Sequence, residues 1–203
     1  MSPQRLMLVR HGETDWNAQN RAQGLMQVSL NDNGHYQAAA LAAYLGERPI
    51  TAIYSSDLDR ALQTAEPLSV ALGIRTQIDE RWREINLGIF QGLTYDEAAQ
   101  TYPAEIAARN ADFWNYLTPQ GETRRALQDR AYAALDDVVA QTLGPETVIV
   151  THGGTLQVLL WKLFGEDDLR LNGRYHNTSI TTLEHQDGAW SLVGVGETLH
   201  LSS

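Results

Sequence analysis

The 203-residue chain contains no cysteine. Disulfides, thiolate nucleophiles and cysteine-held zinc or iron–sulfur sites are excluded together. Lysine is nearly missing as well: Lys162 is the only one, so 14 of the 15 cations are arginine. Arginine stays charged and grips oxyanions through a planar fork of donors. No apolar run approaches the ~20 residues of a membrane helix, and the stretch between Arg5 and Arg10 is too short for the core of a signal peptide. Positive charge is scarce overall, since 25 acidic residues against 15 cations leave a net charge of −10. Such a chain repels nucleic acid and anionic membranes unless its few cations are gathered in one place. What is present is an ordinary globular composition, 43% hydrophobic, which contradicts disorder. The length suits a single domain over 1–203, and the composition a cytoplasmic protein.

Hydrophobic patterning predicts strands and helices in alternation. Residues Arg5 to Arg10 form a short apolar run that stops at His11-Gly12, as a buried strand does when it delivers a loop. Asn31 caps a helix running through Leu45. Ala52 to Tyr54 reads as a second strand, followed by a helix that Gly73 closes and that Pro67 should kink or divide. A third strand is expected over Arg75 to Ile78. Thr94 to Glu97 is a capping box, and Pro103 can start another helix. A long helix follows from Glu122, with Leu127, Ala131, Leu135, Val138 and Thr142 on one stripe. Thr147 to Thr151 is the clearest strand, a helix through Trp161 comes next, and two antiparallel strands near Ser179–Glu184 and Trp190–Val195 finish the sheet. The alternation implies a three-layer α/β/α sandwich with a mostly parallel central sheet. The aromatic stretch around Phe113 to Tyr116 belongs either to a small helical cap insertion over about 94–121 or to the core.

In such sheets ligands bind beyond the carboxyl ends of the strands. Three predicted strand ends carry Arg10-His11-Gly12, Ser55-Ser56-Asp57 leading to Arg60, and Thr151-His152-Gly153-Gly154. Together they make a patch of two imidazoles, two guanidiniums and glycines that admit a ligand to the backbone. Paired histidines can hold a metal, but no carboxylate-rich ligand cluster accompanies them and arginines repel a divalent cation. A phosphoryl group fits better, because two arginines can clamp its oxygens with charge-assisted bonds. The concentrated positive pocket on an acidic chain suits a small dianion, not a polymer.

The run Leu8-Val9-Arg10-His11-Gly12-Glu13-Thr14-Asp15-Trp16-Asn17 resembles the hallmark of the histidine phosphatase superfamily, in the branch that contains cofactor-dependent phosphoglycerate mutases and small bacterial phosphatases. The resemblance continues in Arg21-Ala22-Gln23-Gly24, in Ser55 to Ala61, in Glu84 to Gly92, in Gly121-Glu122-Thr123 and in Thr151 to Gly154, so it covers nearly the whole chain in order. The resemblance implies that His11 is a nucleophile forming a phosphohistidine. It implies that Arg10, Arg60 and His152 bind the transferring oxygens, with Asn17, Gln23 and the backbone at Gly24 and Gly153 adding hydrogen bonds. Glu84 matches the proton donor to the leaving oxygen, whose carboxylate then activates water. No metal and no cofactor are implied.

Asp57 and Asp59 read as a helix cap and as a solvated or arginine-orienting charge. Glu13 reads as structural support. His35, His185 and His200 read as surface residues, His176 as a group supporting the site, and most of the tryptophans as core. The expected activity is hydrolysis of small-molecule phosphate monoesters, with neither nucleic acid nor membrane as partner. The segment from Leu93 to Thr123 holds only Arg109 as a cation, where a mutase favours a long basic insertion. Ile85 to Gly92 likewise resembles the phosphatase branch. A phosphoglycerate mutase and an inactive phosphate-binding protein are the alternatives. The loop after Gly24 departs from the family pattern, with Gln27 and Ser29 where Asp and Pro are common. The aromatics Phe90, Tyr95, Phe113, Trp114 and Tyr116 imply tolerance of an apolar or aromatic leaving group.

Overall fold

A computed structural model describes residues 4–141, 144–171 and 175–202. Six strands form one sheet: β1 (Gln4–Arg10), β2 (Ile50–Ser55), β3 (Gln77–Ile78), β4 (Glu146–Thr151), β5 (Ile180–Gln186) and β6 (Ala189–Glu197), in the spatial order β3-β2-β4-β1-β5-β6. The pairings from β3 to β1 are parallel, and β5 and β6 add an antiparallel edge. Seven α-helices accompany the sheet among the described residues: α1 (Asp15–Ala18), α2 (Asp32–Leu45), α3 (Asp59–Leu72), α4 (Tyr95–Thr101), α5 (Pro103–Ala111), α6 (Arg124–Ala140) and α7 (Gly153–Phe164).

Period-two alternation along the strands makes the three layers. Met7, Val9, Ile53, Val148 and Val150 point to one face and meet Leu41 and Leu45 of α2 and Ala61, Ala65 and Leu68 of α3. Leu6, Leu8, Tyr54 and Ile149 point to the other and meet Ala131 and Leu135 of α6 and Leu156 and Leu159 of α7. The expected α/β/α sandwich is therefore present. Several details differ. α3 continues through Pro67 as one helix, because Ala61, Ala65 and Leu68 seat both halves on the sheet, and Gly73 ends it at φ 64°. The third strand shrinks to Gln77–Ile78, an exposed edge pair beside Tyr54 and Ser55. The long helix starts at Arg124 with Thr123 as its cap; Glu122 stays outside it. Thr142 lies outside the described residues. Of the five tryptophans, only Trp82 is fully buried; the other four are half-buried.

Between β3 and α6 the chain forms two short 3-10 turns, then α4 and α5. Thr94 and Glu97 cap α4 reciprocally and Pro103 opens α5. Phe90, Ala98 and Ile106 make a small apolar cluster of their own.

The loop after β1 is seated on the start of α2. Asn31 caps that helix through the Gly34 N–H, and the Asn31 side chain and backbone both donate to Glu13. Glu13 thus has the supporting role expected of it. A Cβ on Gly34 would stand 2.1 Å from the Glu13 carbonyl oxygen. Helix propensity alone favours Ala over Gly by about 1 kcal/mol, but backbone faces backbone here and no side chain can swing away. Gly34→Ala is expected to destabilise the protein by about 2–3 kcal/mol in urea titration; a net gain would show that the loop yields freely.

Candidate active site

The register of the two central strands creates the histidine pair. Arg10 lies opposite Thr151 in the β1–β4 ladder, and the His11 N–H donates to the Thr151 carbonyl at 2.9 Å. The next residues, His11 and His152, therefore leave neighbouring strands side by side, with ring centroids 5.1 Å apart. Both are buried. His11 Nδ1 faces the Gly12 carbonyl oxygen at 2.7 Å. A carbonyl only accepts, so Nδ1 carries the proton and the neutral ring keeps its lone pair on Nε2. Burial, then the charges of Arg60 and Arg10, hold the His11 pKa well below its ordinary value, against a smaller opposing effect of the Gly12 bond. His152 is lowered well below its ordinary value too, by burial first and Arg60 next.

Arg60 sits in the first turn of α3 and is fully buried. It donates to the carbonyls of Gly24 at 2.8 Å and Met26 at 2.9 Å, so the 24–26 loop aims it. No carboxylate pairs with it among the described residues. Burial pulls its pKa down to about 10, although Glu84 pushes the other way. Arg10 donates to the Tyr175 carbonyl at 2.6 Å. The Nε atoms of Arg10 and Arg60, Oε1 of Gln23 and both ring nitrogens of His152 are buried without a hydrogen-bond partner among the described residues. A buried polar group left unmatched is costly, and Arg10 and Arg60 both line one cavity, where a tetrahedral oxyanion would satisfy their donors.

That cavity holds about 380 Å³ and is lined by Arg10, His11, Asn17, Gln23, Gly24, Arg60, Glu84 and Gly153. Eight of the nine expected site residues line it, all but His152. Asn17 keeps its Oδ1 on Thr14 and Asn177, which turns its amide NH2 away from them. The Gly24 backbone acts through its carbonyl on Arg60, at φ +52° and with Gln91 packed where a Cβ would be. Gly153 opens α7, whose cap residue His152 makes no side-chain capping bond; the positive end of that helix faces the cavity. His152 itself lies beside His11, and Glu84 projects opposite α7, where its carboxylate accepts from the N–H groups of Ile85 at 2.8 Å and Gly154 at 2.9 Å.

Some assignments change. Asp57 is no helix cap: Leu58 takes that position, and Asp57 pairs with Arg83, Nε to Oδ1 at 2.7 Å. Asp59 does act on Arg60 through its charge. His176 is exposed, and the supporting role falls to Asn177, which donates to the His11 carbonyl at 2.9 Å. His200 is buried, not superficial, with Nε2 3.0 Å from Thr178 Oγ1. Gln27, where the pattern departs, accepts the Asp59 N–H at 2.9 Å and so ties the loop to α3. Of the aromatics, Phe113 lines the main cavity together with Trp161, and Phe90 and Tyr95 line a smaller neighbour.

Residue-by-residue reading missed Arg21, Arg109 and Arg124, which bring the cavity's arginines to five against one carboxylate, Glu84. Arg21 is matched by Glu97 at 2.6 Å. Arg109 and Arg124 make no ion pair among the described residues; burial lowers both, and Arg109 helps bring Arg124 down to about 10. Arg124 also lies 3.8 Å from the centre of the Phe113 ring. Its place directly after Gly-Glu-Thr was the only available signal.

A mostly parallel sheet with an arginine-lined cavity at its carboxyl edge marks an α/β protein with a site for a small anion. The chain belongs to the histidine phosphatase superfamily (branch 1), whose family model matches residues 6–198. It is 36% identical over 200 residues to phosphoglycerate mutase-like protein 4 of Arabidopsis thaliana, covering 97% of this chain and 86% of the relative. It is 34% identical over 202 residues to a metal-independent phosphoserine phosphatase of the same plant, covering 98% and 83%. The solved structure of a mycobacterial glucosyl-3-phosphoglycerate phosphatase superposes with a TM-score of 0.82 at 33% identity, over 94% of this chain and 98% of that one. No helix among the described residues is long and apolar enough to cross a membrane.

Proposed function

We propose that the protein is a metal-independent phosphomonoester hydrolase that works through a phosphohistidine on small phosphorylated metabolites in the cytoplasm. The observation that carries this reading is the neutral, buried His11 with its free Nε2 among Arg10, Arg60 and His152. In the first step Nε2 attacks phosphorus as the bond to the leaving oxygen breaks, and the Glu84 carboxyl gives that oxygen its proton. In the second, the Glu84 carboxylate takes a proton from water as the water oxygen attacks phosphorus. The N–P bond breaks, releasing phosphate and restoring both side chains. Arg10, Arg60, His152, Asn17 and Gln23 and the backbone N–H groups of Gly24 and Gly153 hold the oxygens over which the negative charge spreads. The net charge of −10 keeps polyanions away from this local positive pocket.

The far half of the cavity narrows the substrate. Arg109 and Arg124, partly desolvated and mutually repelling, favour a leaving group with a second negative charge. The aromatic walls Phe113 and Trp161, with the 94–121 segment acting as a cap, also accept a flat group. A panel of phosphomonoesters in EDTA tests this. Compounds with a carboxylate or second phosphate should lead in kcat/KM, and Arg124→Ala should cut that lead by about tenfold, the worth of one exposed-to-buried charge pairing. The relatives named as phosphoglycerate mutases keep a second reading in play. Conversion of 3-phosphoglycerate to 2-phosphoglycerate with 2,3-bisphosphoglycerate present and little free phosphate would decide for it.

A further inference from the structure

The segment that carries Glu84 has no regular structure of its own from Arg83 to Leu87, so its backbone must find partners elsewhere. One side chain holds two of its carbonyls and that of Arg81 just before it. Arg130 of α6 donates through Nη1 to the carbonyls of Arg81 at 2.8 Å and Arg83 at 2.7 Å, and through Nη2 to the carbonyl of Glu84 at 2.8 Å. Its remaining donors go to Glu122, at 2.7 Å and 3.3 Å. Glu122 in turn accepts the Asn86 N–H at 2.8 Å and donates its own N–H to the Asn86 carbonyl at 3.0 Å. The pair is about four-fifths buried on both sides, so its geometry is fixed by packing as well as by charge.

On the opposite side the Glu84 carboxylate rests against the first turn of α7. A Cβ on Gly154 would stand 2.4 Å from Glu84 Oε1, so only a glycine lets the carboxylate reach the Gly154 N–H. The acid is thus bracketed: its peptide by Arg130 and Glu122, its carboxylate by Gly154.

We propose that the Glu122–Arg130 ion pair is a positioning device for Glu84, placing its carboxylate for proton transfer while leaving phosphate binding to other residues. The inference rests on the acid–base role given to Glu84 above. It also assigns work to Gly121-Glu122-Thr123, the one motif of the sequence that the phosphate site does not use. A misplacement of about 1 Å at a reacting group costs roughly 100-fold in rate, and the rate of a poor leaving group depends most on the proton it receives.

The test compares kcat/KM for p-nitrophenyl phosphate, whose leaving group departs without help, with that for glycerol 2-phosphate, whose alkoxide needs a proton. Arg130→Lys keeps the charge but not the fork, and Glu122→Gln keeps the acceptor but not the charge. Each should lose about 10- to 100-fold on glycerol 2-phosphate and less than about threefold on p-nitrophenyl phosphate, with the inhibition constant for vanadate unchanged within about threefold. Combined with Glu84→Gln, neither should add a further loss, since a positioning residue has nothing left to position. Equal losses on both substrates, weaker vanadate inhibition, or additivity with Glu84→Gln would overturn the proposal. If Arg130→Lys does not fold, Glu122→Gln decides alone. If Glu84→Gln itself slows both substrates equally, the acid role of Glu84 has failed, a different outcome from failure of the Arg130 clamp.

Discussion

His11→Ala lowers kcat by about 10⁴-fold or more on every phosphomonoester, the scale expected when a covalent nucleophile is removed while the binding groups remain. The loss comes from the chemistry, not from the fold. His11 makes one side-chain hydrogen bond, to its neighbour's carbonyl, and its backbone bonds to Thr151 and Asn177 survive the substitution. The native protein, mixed with a phosphomonoester in EDTA and quenched in alkali, should carry phosphate that acid then removes; the variant should carry none. Activity that EDTA abolishes, or labelled phosphate persisting in the variant, would assign the nucleophile elsewhere.

Arg60→Met separates catalysis from stability. The guanidinium is fully buried and has no carboxylate partner among the described residues, and burial has drawn its pKa down to about 10. Each pKa unit is worth about 1.4 kcal/mol, so the folded state carries a cost of a few kcal/mol for this charge. Methionine removes that cost and fills comparable volume. Against it stands the loss of donors to the Gly24 and Met26 carbonyls, at about 1–3 kcal/mol each. The two effects are of similar size and opposite sign. The midpoint of urea unfolding should therefore move little, within about 2 kcal/mol in stability, while kcat/KM falls by about 10³-fold because one clamp on the developing charge is gone. A large loss of stability would mean that the 24–26 loop cannot stand without Arg60, and a mild loss of activity would remove Arg60 from the phosphate site.

These two residues also mark how much could be read from the chain. His11 and Arg60 stand in local motifs at the ends of apolar runs, where the strand-end rule for α/β sheets places a ligand, and the roles proposed for them come from the family resemblance those motifs carry. The main secondary elements were legible for the same reason: β1, β2, β4 and the capped helices are set by short-range periodicity and by Asn31, Gly73, Thr94 and Pro103. The misjudged details were those that packing decides. Pro67 does not break α3 because the sheet holds both halves of the helix, and His200 is buried because the last turn folds back onto Thr178 and Tyr44.

From sequence alone came the class of the fold, the family and the candidate groups at the strand ends, because each depends on neighbours within a few residues. Only the tertiary structure decided what surrounds them. The 5.1 Å approach of His11 to His152 needs the β1–β4 register. The meeting of Arg109 with Arg124 and the clamp of Arg130 on a loop 46 residues away need separate helices to pack on one edge. Such contacts carry no local signature, since the energy that makes them is shared among residues distant in the chain. The scarcity of lysine and the negative total were visible at once; that five of the fourteen arginines converge on one cavity was not.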